Sequence, residues 1–397
     1  MFPFVMGKIM DVSAILRQID EVSQDWARSR RARQLRTTLV KADFERLELC
    51  GYLKLTVPIV EGGLWDALST AVRPICAGLR SLSSGDSSIA LVAAMHPAVL
   101  SYWLVSSPDL KERELWQPQF KMICETVKSG NWWGTITSEP GSGGDIGKTS
   151  AKATKSGPGG VFDYRLSGDK HFGSGSGVTS YMVTTAIPDG EEHADWFFVD
   201  MRGVPWDGSR GVKCLAEWDG QGMKATQSHA FAFEEFPATR LGWPGHLSEI
   251  VTRTGGFIGC LFASVIVGIV DAAMQEAKIY VEGLDPRRAF EAVEWARAQN
   301  EYWLIKQAQE GMIRAAEQQL DSREEVLHGK IAISELAEQV LLRLCKVIGG
   351  GSFARRSPFG NWFEDVRALG FLRPPWGLAF QTLIDRIPRK DPSQSAS

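Results

Sequence analysis

The sequence of 397 residues lacks several motifs that assign a function directly. It has no H-E-x-x-H motif and its six histidines are scattered, so no metal site is predicted. No G-x-S-x-G stretch surrounds a serine nucleophile. The glycine-rich stretch Gly141–Gly147 is neither G-x-G-x-x-G nor a Walker loop, which argues against a Rossmann domain.

An excess of charge of one sign is also absent. Lys and Arg number 44 against 47 Asp and Glu, a formal net charge of −3, which excludes nucleic-acid binding driven mainly by overall charge. The six cysteines include no C-x-x-C pair, which predicts reduced thiols and a cytoplasmic location. Because we find no apolar run of about 18 residues and no cleavable leader, we expect neither a membrane span nor a signal peptide.

The hydrophobic pattern divides the chain into three zones. Helical spacing prevails from about Asp11 to Lys128, and the apolar stretch Ile89–Leu100 predicts a fully buried helix. Short alternating runs follow, with strands predicted at Tyr181–Ala186, Trp196–Asp200 and His229–Phe233. Helical spacing then returns, with helices predicted at Gly255–Glu282, Arg288–Ala316 and Glu325–Ile348.

These zones predict an α+β fold in three parts. Residues 1–128 form an N-terminal all-α domain, residues 129–242 a small β-barrel or sandwich, and residues 243–397 a C-terminal four-helix bundle with a polar tail. The arginine cluster between Arg28 and Arg36 is typical of a solvated helix face, with an anionic partner as the alternative.

Several short motifs resemble those of the acyl-CoA dehydrogenase superfamily. Thr137–Asp145, T-S-E-P-G-S-G-G-D, is similar to its T-E-P-G-A-G-S-D, and Gly168–Ser174 is similar to its G-x-K-x-W-I-T. Ile348–Ser352 matches part of its Q-x-x-G-G-x-G stretch, and Glu364-Asp365 stands where that family has Arg-Asp. The matches follow the family's order along the chain.

The resemblance implies a flavoprotein oxidoreductase that binds FAD, or FMN supplied reduced by a separate flavin reductase. The flavin is expected between the β domain and the C-terminal bundle of a homotetramer, a dimer of dimers. Carried over by motif, the cofactor-binding residues are Thr135, Ile136, Thr137, Ser138, Phe172, Gly173, Ser174, Lys346, Gly349 and Gly350. Gly349 and Gly350 are expected to meet the adenine half of the flavin from a neighbouring subunit, and Lys346 stands where the family has a glutamine before this glycine pair.

The chain departs from the family where a dehydrogenase carries its glutamate base. One usual position falls on Arg373 or Pro374, and the other falls on Ile258. An arginine cannot act as a base near neutral pH. Asp365, Glu364 and Glu282 remain as alternative bases, although none stands where the resemblance would put one.

The missing glutamates favour a related class, the flavin monooxygenases of dibenzothiophene monooxygenase type. Trp218–Ser228 resembles their W-D-x-x-G-Q-R-x-T-x-S segment. Such enzymes act with reduced flavin and O₂ on small hydrophobic substrates and need no α-proton base. Arg373 and His96 are the catalytic candidates for stabilising a peroxide or an anionic substrate. Arg373 could instead anchor the C-terminal turn, and His96 could be a core histidine. A dehydrogenase with an atypical base and a non-catalytic subunit of a mixed oligomer remain alternatives.

Overall fold

The computed structural model describes residues 11–157, 163–283, 289–318 and 321–385. The N-terminal part is helical, as the spacing predicts. Its helices are α1 Val12–Arg28, α2 Arg30–Gln34, α3 Lys41–Leu49, α4 Leu68–Gly85, α5 Ser87–Leu104 and α6 Leu110–Lys128. Helix α5 contains the predicted buried stretch and begins at Asp86, whose side chain accepts a hydrogen bond from the amide of Ile89.

The middle of the chain forms one seven-stranded sheet. The strands are β1 Trp133–Thr135, β2 Lys152–Lys155, β3 Asp163–Gly173, β4 Tyr181–Pro188, β5 Asp195–Asp200, β6 Val212–Ala216 and β7 His229–Arg240. The three predicted strands are confirmed as parts of β4, β5 and β7.

The detail of the sheet differs from the expected barrel or sandwich. All seven strands belong to one mixed sheet in the order β1-β4-β2-β3-β7-β5, with β6 beside β7 and a further β4–β5 pairing. Two pairings, β1 with β4 and β2 with β4, are parallel. Strand pairing of this kind depends on contacts between distant parts of the chain, and alternation along single strands does not reveal it.

Three long helices dominate the C-terminal part, followed by three short ones. They are α7 Leu247–Glu282, α8 Ala289–Gln318, α9 Arg323–Ile348, α10 Phe359–Val366, α11 Ala368–Phe371 and α12 Trp376–Asp385. Helix α7 begins eight residues before the predicted start, because polar residues interrupt the apolar pattern of its first two turns. Arg288, the first residue of the second predicted helix, lies outside the described residues. Helix α7 packs against α4 and α5 as well as α8 and α9, so it joins the two helical parts in one core.

Two of the described helices are long and apolar enough to cross a membrane, so the expectation that no run reaches that length is wrong. They are α5 and α7, whose most apolar windows have mean hydropathies of 1.3 and 2.2. In each window 89% of the residues are buried inside the protein. Such burial is typical of core helices, which are apolar all round because protein surrounds them.

Candidate functional site

The two segments predicted to hold a flavin lie side by side. The chain leaves β1 at Thr135, and its next residues run beside the end of β3. Ser138 pairs with His171 in an isolated antiparallel bridge, and the His171 amide donates to the Ser138 carbonyl at 2.8 Å. Gly173 packs closely on the first segment, since a Cβ there would lie 2.9 Å from Cδ1 of Ile136 and that side chain would have to shift. The fold thus brings together two segments that are 34 positions apart in the sequence.

Phe172 presents an exposed aromatic ring beside these hydroxyl residues. The β3–β7 register shifts between Lys170 and Gly173, and Phe172 adopts a positive φ of 59° there. Its ring is 59% exposed and meets Trp218 edge to face, with centroids 6.2 Å apart. Non-glycine residues with such backbone angles concentrate at functional sites. This surface suits a flat, partly polar heteroaromatic ring.

The hydroxyl groups of the two segments differ in how fully they are bonded. Ser174 Oγ and Ser228 Oγ lie 2.8 Å apart, and Ser228 Oγ lies 2.8 Å from Thr226 Oγ1. By contrast, Thr137 Oγ1 has one contact among the described residues, 3.4 Å from Thr135 Oγ1. Because this contact is long and Thr137 is buried, its hydroxyl retains hydrogen-bonding capacity that a ligand could use.

A buried ion pair fixes the loop after β1 to β3. Lys170 is fully buried and donates to Glu139, to Thr149 Oγ1 at 3.0 Å and to a main-chain carbonyl at 2.6 Å. Burial lowers the pKa of Lys170 to about 8, with Glu139 opposing the shift. Burial alone would raise the pKa of Glu139, but the hydrogen bonds from Lys170, Thr149 and Ser150 outweigh it and lower that pKa to about 2. Glu139 is therefore a structural anion.

The C-terminal turn after α11 places a cation on this site. Arg373 Nη2 donates to Ser138 Oγ at 3.1 Å. Pro375 packs against Gly144, where a Cβ would come within 2.7 Å of the proline ring. Burial lowers the pKa of Arg373 to about 10, which leaves the guanidinium charged at neutral pH. Both catalytic and anchoring interpretations of Arg373 agree with this position.

Lys330 stabilises the same turn, although it was not among the residues predicted from the sequence. Its ammonium donates to the carbonyl oxygen of Leu372 at 2.7 Å and to that of Pro374. Lys330 is 3% exposed, and burial lowers its pKa to about 7. Its spacing could have indicated burial, since Lys330 lies three residues from both Leu327 and Ile333 on the buried face of α9.

His96, the other catalytic candidate, lies in the core. It is fully buried, its Nδ1 accepts from the Trp133 amide at 3.1 Å, and its ring meets Trp132 at 5.3 Å. Burial lowers its pKa to about 3, so the ring is neutral at physiological pH. The structure does not support a cationic catalytic role for His96, because desolvation in this apolar surrounding disfavours the charge.

No carboxylate hydrogen-bonds to Thr135–Ser138 or Phe172–Ser174 within the described part of the chain. Ile258 is a partly buried residue of the helical core. Asp365 accepts from Ser87 Oγ and from the Met223 amide, both at 2.6 Å, and its burial raises its pKa to about 6. Glu364 pairs with Arg367 at 2.9 Å, and Glu282 lies 3.7 Å from Lys278.

The remaining predicted cofactor residues are not brought to this site within one chain. Lys346 lies at the end of α9, 3.7 Å from Glu294, and Gly349 and Gly350 follow it on the surface. Lys346 is 16 residues beyond Lys330 on the same helix, about 24 Å along the axis at 1.5 Å per residue.

Comparisons with known proteins place this geometry in context. No known family profile matches the chain. The Bacillus subtilis protein YdbM, named as an acyl-CoA dehydrogenase, is 23% identical over 83% of this chain and 85% of its own length. YngJ of the same organism, also named as an acyl-CoA dehydrogenase, is 23% identical over 58% of this chain. The chain spans 62% of YngJ, somewhat less than two thirds of its length.

Solved structures match almost the whole chain. KijD3 in complex with dTDP has a TM-score of 0.78 at 20% identity and covers 94% of this chain and 96% of its own. FMN-bound TdsC from Paenibacillus sp. A11-2 has a TM-score of 0.76 at 19% identity, and the match covers 94% of this chain and 98% of TdsC. A nitroalkane oxidase has a TM-score of 0.75 at 14% identity, and the match covers 100% of this chain and 99% of the oxidase. The chain has the acyl-CoA dehydrogenase fold. The resemblance inferred from the motifs is thereby confirmed.

Removal of the buried ammonium at Lys170 should destabilise the protein strongly. Lys170→Met leaves the Glu139 carboxylate buried without its cation, which costs about 3–5 kcal/mol in free energy of unfolding. Urea denaturation followed by circular dichroism measures the loss. The control Lys148→Met removes an exposed lysine from the same loop and should change stability by less than about 0.5 kcal/mol. Equal losses in the two variants would contradict the structural role of the pair.

Lys330 should give stability a specific pH dependence. Its folded-state pKa of about 7 lies below the ordinary lysine value of about 10.4, so the unfolded chain binds more protons between these pH values. Stability due to this group therefore rises with pH across that window, by at most about 1.4 kcal/mol per unit. Lys330→Met should flatten the rise, whereas Lys346→Met, at an exposed position, should not. Parallel pH curves for wild type and Lys330→Met would contradict this.

Proposed function

We propose that this protein is a flavin-dependent monooxygenase on the acyl-CoA dehydrogenase scaffold. It would use reduced flavin and O₂ to oxidise a small hydrophobic substrate, with a separate reductase supplying the reduced flavin. The broader statement, a flavin-dependent oxidoreductase on this scaffold, is supported by all the relatives named above. Two TdsC structures carry FMN, and one of these also carries indole.

The observation that carries the proposal is the Arg373 cation bonded to Ser138 where a dehydrogenase needs a carboxylate. Removing an α-proton requires a base with a free lone pair within reach of the substrate. The guanidinium of Arg373 has no free lone pair at neutral pH. The carboxylate of Glu139 is already hydrogen-bonded to Lys170, Thr149 and Ser150. Oxygen chemistry does not need that base. A fixed cation can instead stabilise negative charge at the reacting centre.

The residues at this site fit a flavin. Thr137 retains a hydroxyl with unused hydrogen-bonding capacity, and Phe172 offers an exposed apolar ring on the neighbouring segment. When bound, the flavin supplies two-electron transfer and reaction with O₂, while the protein orients it and tunes its surroundings. Thr137 and Ser174 would hold the flavin, and Arg373 would set the charge beside it.

A second candidate function rests on Asp365. Its raised pKa, about 6, is the value expected of a carboxylate that could exchange a proton near neutral pH, as a dehydrogenase base must. It hydrogen-bonds to Ser87 and to the Met223 amide and not to Ser138 or Ser174, so this candidate ranks second.

The subunit arrangement belongs to the same proposal. We expect a homotetramer in which the exposed Gly349 and Gly350, beyond the end of α9, meet the flavin of a neighbouring subunit; the position of Lys346 about 24 Å along α9 from Lys330, which binds the Arg373 turn, supports this. A cytoplasmic location fits this enzyme class. Light scattering coupled to gel filtration should give four times the mass of one chain; a monomer that binds flavin fully would contradict the arrangement.

Deleting one hydroxyl should weaken flavin binding without unfolding the protein. We expect Thr137→Val and Ser174→Ala each to raise the dissociation constant for FMN about tenfold, the effect of losing about 1.4 kcal/mol of hydrogen bonding. Fluorescence titration measures the affinity. Thr154→Val, an exposed position on β2, is the matched control and should bind as wild type does. Unchanged affinity in both site variants would remove the flavin from this position.

Arg373 should affect turnover more than stability. With reduced FMN, ¹⁸O₂ and indole or dibenzothiophene as trial substrates, wild type should insert one labelled oxygen atom, and Arg373→Met should lose at least about tenfold in kcat. Arg373→Lys should recover part of the rate because it restores the charge. A large fall in melting temperature for Arg373→Met would favour the anchoring role. Dye reduction with acyl thioesters, and no labelled product, would support the dehydrogenase instead.

A further inference from the structure

A small cleft lies where the three parts of the chain meet. It is formed by α2 with the residues just after it, the α4–α5 junction, the loop before β7, and α10. It holds about 30 Å³ of space for water-sized groups, enough for a few waters or for one small ion. Ligand sites occur preferentially at such junctions between domains. The cleft is lined by none of the residues that form the flavin site proposed above.

Two cations on this cleft have no carboxylate within ion-pair distance in the described part of the chain. Arg30 donates to the Ser84 carbonyl at 2.8 Å and lies over the Trp362 ring at 5.0 Å, while its Nε is buried without a hydrogen-bond partner. Lys224 donates to Asn361 Oδ1 at 2.9 Å. A buried guanidinium N–H without a partner is costly, and an anion would satisfy it.

The other charged groups of the cleft leave an excess of positive charge. Arg33 and Arg36 also line it, and both pair with Asp43 behind them. Asp86 is neutralised by Arg33 at 2.8 Å. Asp365 is held by two hydrogen-bond donors. Arg33 and Arg36 balance Asp43 and Asp86, so Arg30 and Lys224 face a single remaining carboxylate, Asp365, and the cleft keeps one net positive charge.

We propose that this cleft is a binding site for a phosphate group, held between the Arg30 guanidinium and the Lys224 ammonium. A guanidinium offers paired N–H donors that match a tetrahedral oxyanion, and an ammonium adds a point charge. The arginine cluster seen in the sequence is therefore a binding surface at Arg30 and a structural ion-pair network at Arg33 and Arg36. The phosphate is either free or part of a bound nucleotide.

Such an anion would tie the three parts of the chain together. Arg30 belongs to the N-terminal helices, Lys224 to the β domain, and their neighbours Asn361 and Trp362 to α10. Lys224 also precedes Ser228, which bonds to Ser174 in the proposed flavin site. Binding at the cleft therefore stabilises the loop that supports that site.

The test is calorimetric titration of the whole protein, free of flavin, with inorganic phosphate and with sulfate at constant ionic strength. We expect saturable binding of both ions by wild type and a rise in melting temperature that matched chloride does not give. Arg30→Gln and Lys224→Gln should each weaken binding about tenfold. Arg28→Gln and Lys213→Gln remove exposed cations nearby in the sequence and should bind as wild type does. If Arg30→Gln does not fold, Lys224→Gln and Arg30→Lys still test whether the cleft binds phosphate.

The absence of saturable binding by wild type, or equal binding by the two site variants and the two controls, would overturn the proposal. A comparison of FMN with riboflavin then identifies the source of the phosphate. If inorganic phosphate competes with FMN, and if Lys224→Gln weakens FMN but not riboflavin, the site takes the phosphate of the nucleotide. If phosphate binds without affecting FMN, the site takes the free ion. Because the first titration needs no flavin, its outcome is independent of the proposed monooxygenase activity.

Discussion

The buried pair of Glu139 and Lys170 is the contact on which the site depends. It fixes the loop after β1 against the end of β3, and so places Ser138 beside His171. A buried ion pair stabilises little in itself, since desolvation offsets most of the attraction, but losing either partner leaves an unpaired charge in the core. The pair therefore specifies one arrangement of the two segments, and the C-terminal turn with Arg373 docks on that arrangement.

The charges of Glu139 and Arg373 distinguish the proposed site from that of a dehydrogenase. Glu139 is bound by three neighbouring residues and cannot exchange protons near neutral pH, while Arg373 brings a positive charge to Ser138. A site with a fixed cation, spare hydroxyl donors and an exposed aromatic ring can orient a flavin and stabilise developing negative charge. Among the described residues, no carboxylate hydrogen-bonds to Thr135–Ser138 or Phe172–Ser174. The proposed chemistry therefore follows from which charges the turn and the loop bring together.

Local patterns predicted the elements well, and motifs predicted the two flavin segments, because each is a continuous stretch of chain. The buried helix α5 and strands β4, β5 and β7 follow directly from residue spacing. What the sequence could not reveal were contacts between distant stretches. Glu139 and Lys170 both stand in recognised motifs, yet nothing local shows that they pair. Lys330 lies more than 40 residues before the carbonyl groups that it binds. The sequence also did not show that Arg33 in the arginine cluster pairs with a distant carboxylate while Arg30 does not.

A monooxygenase of the proposed kind requires that reduced flavin bound at this site react with O₂ to oxidise a substrate. The decisive experiment reduces the flavin-loaded protein without oxygen and mixes it with O₂ in a stopped-flow spectrometer. We expect a flavin species, distinct in absorbance from both the oxidised and the reduced forms, that persists for seconds and decays faster when substrate is present. Negligible reaction with O₂, together with rapid reduction of the oxidised protein by an acyl thioester, would contradict it.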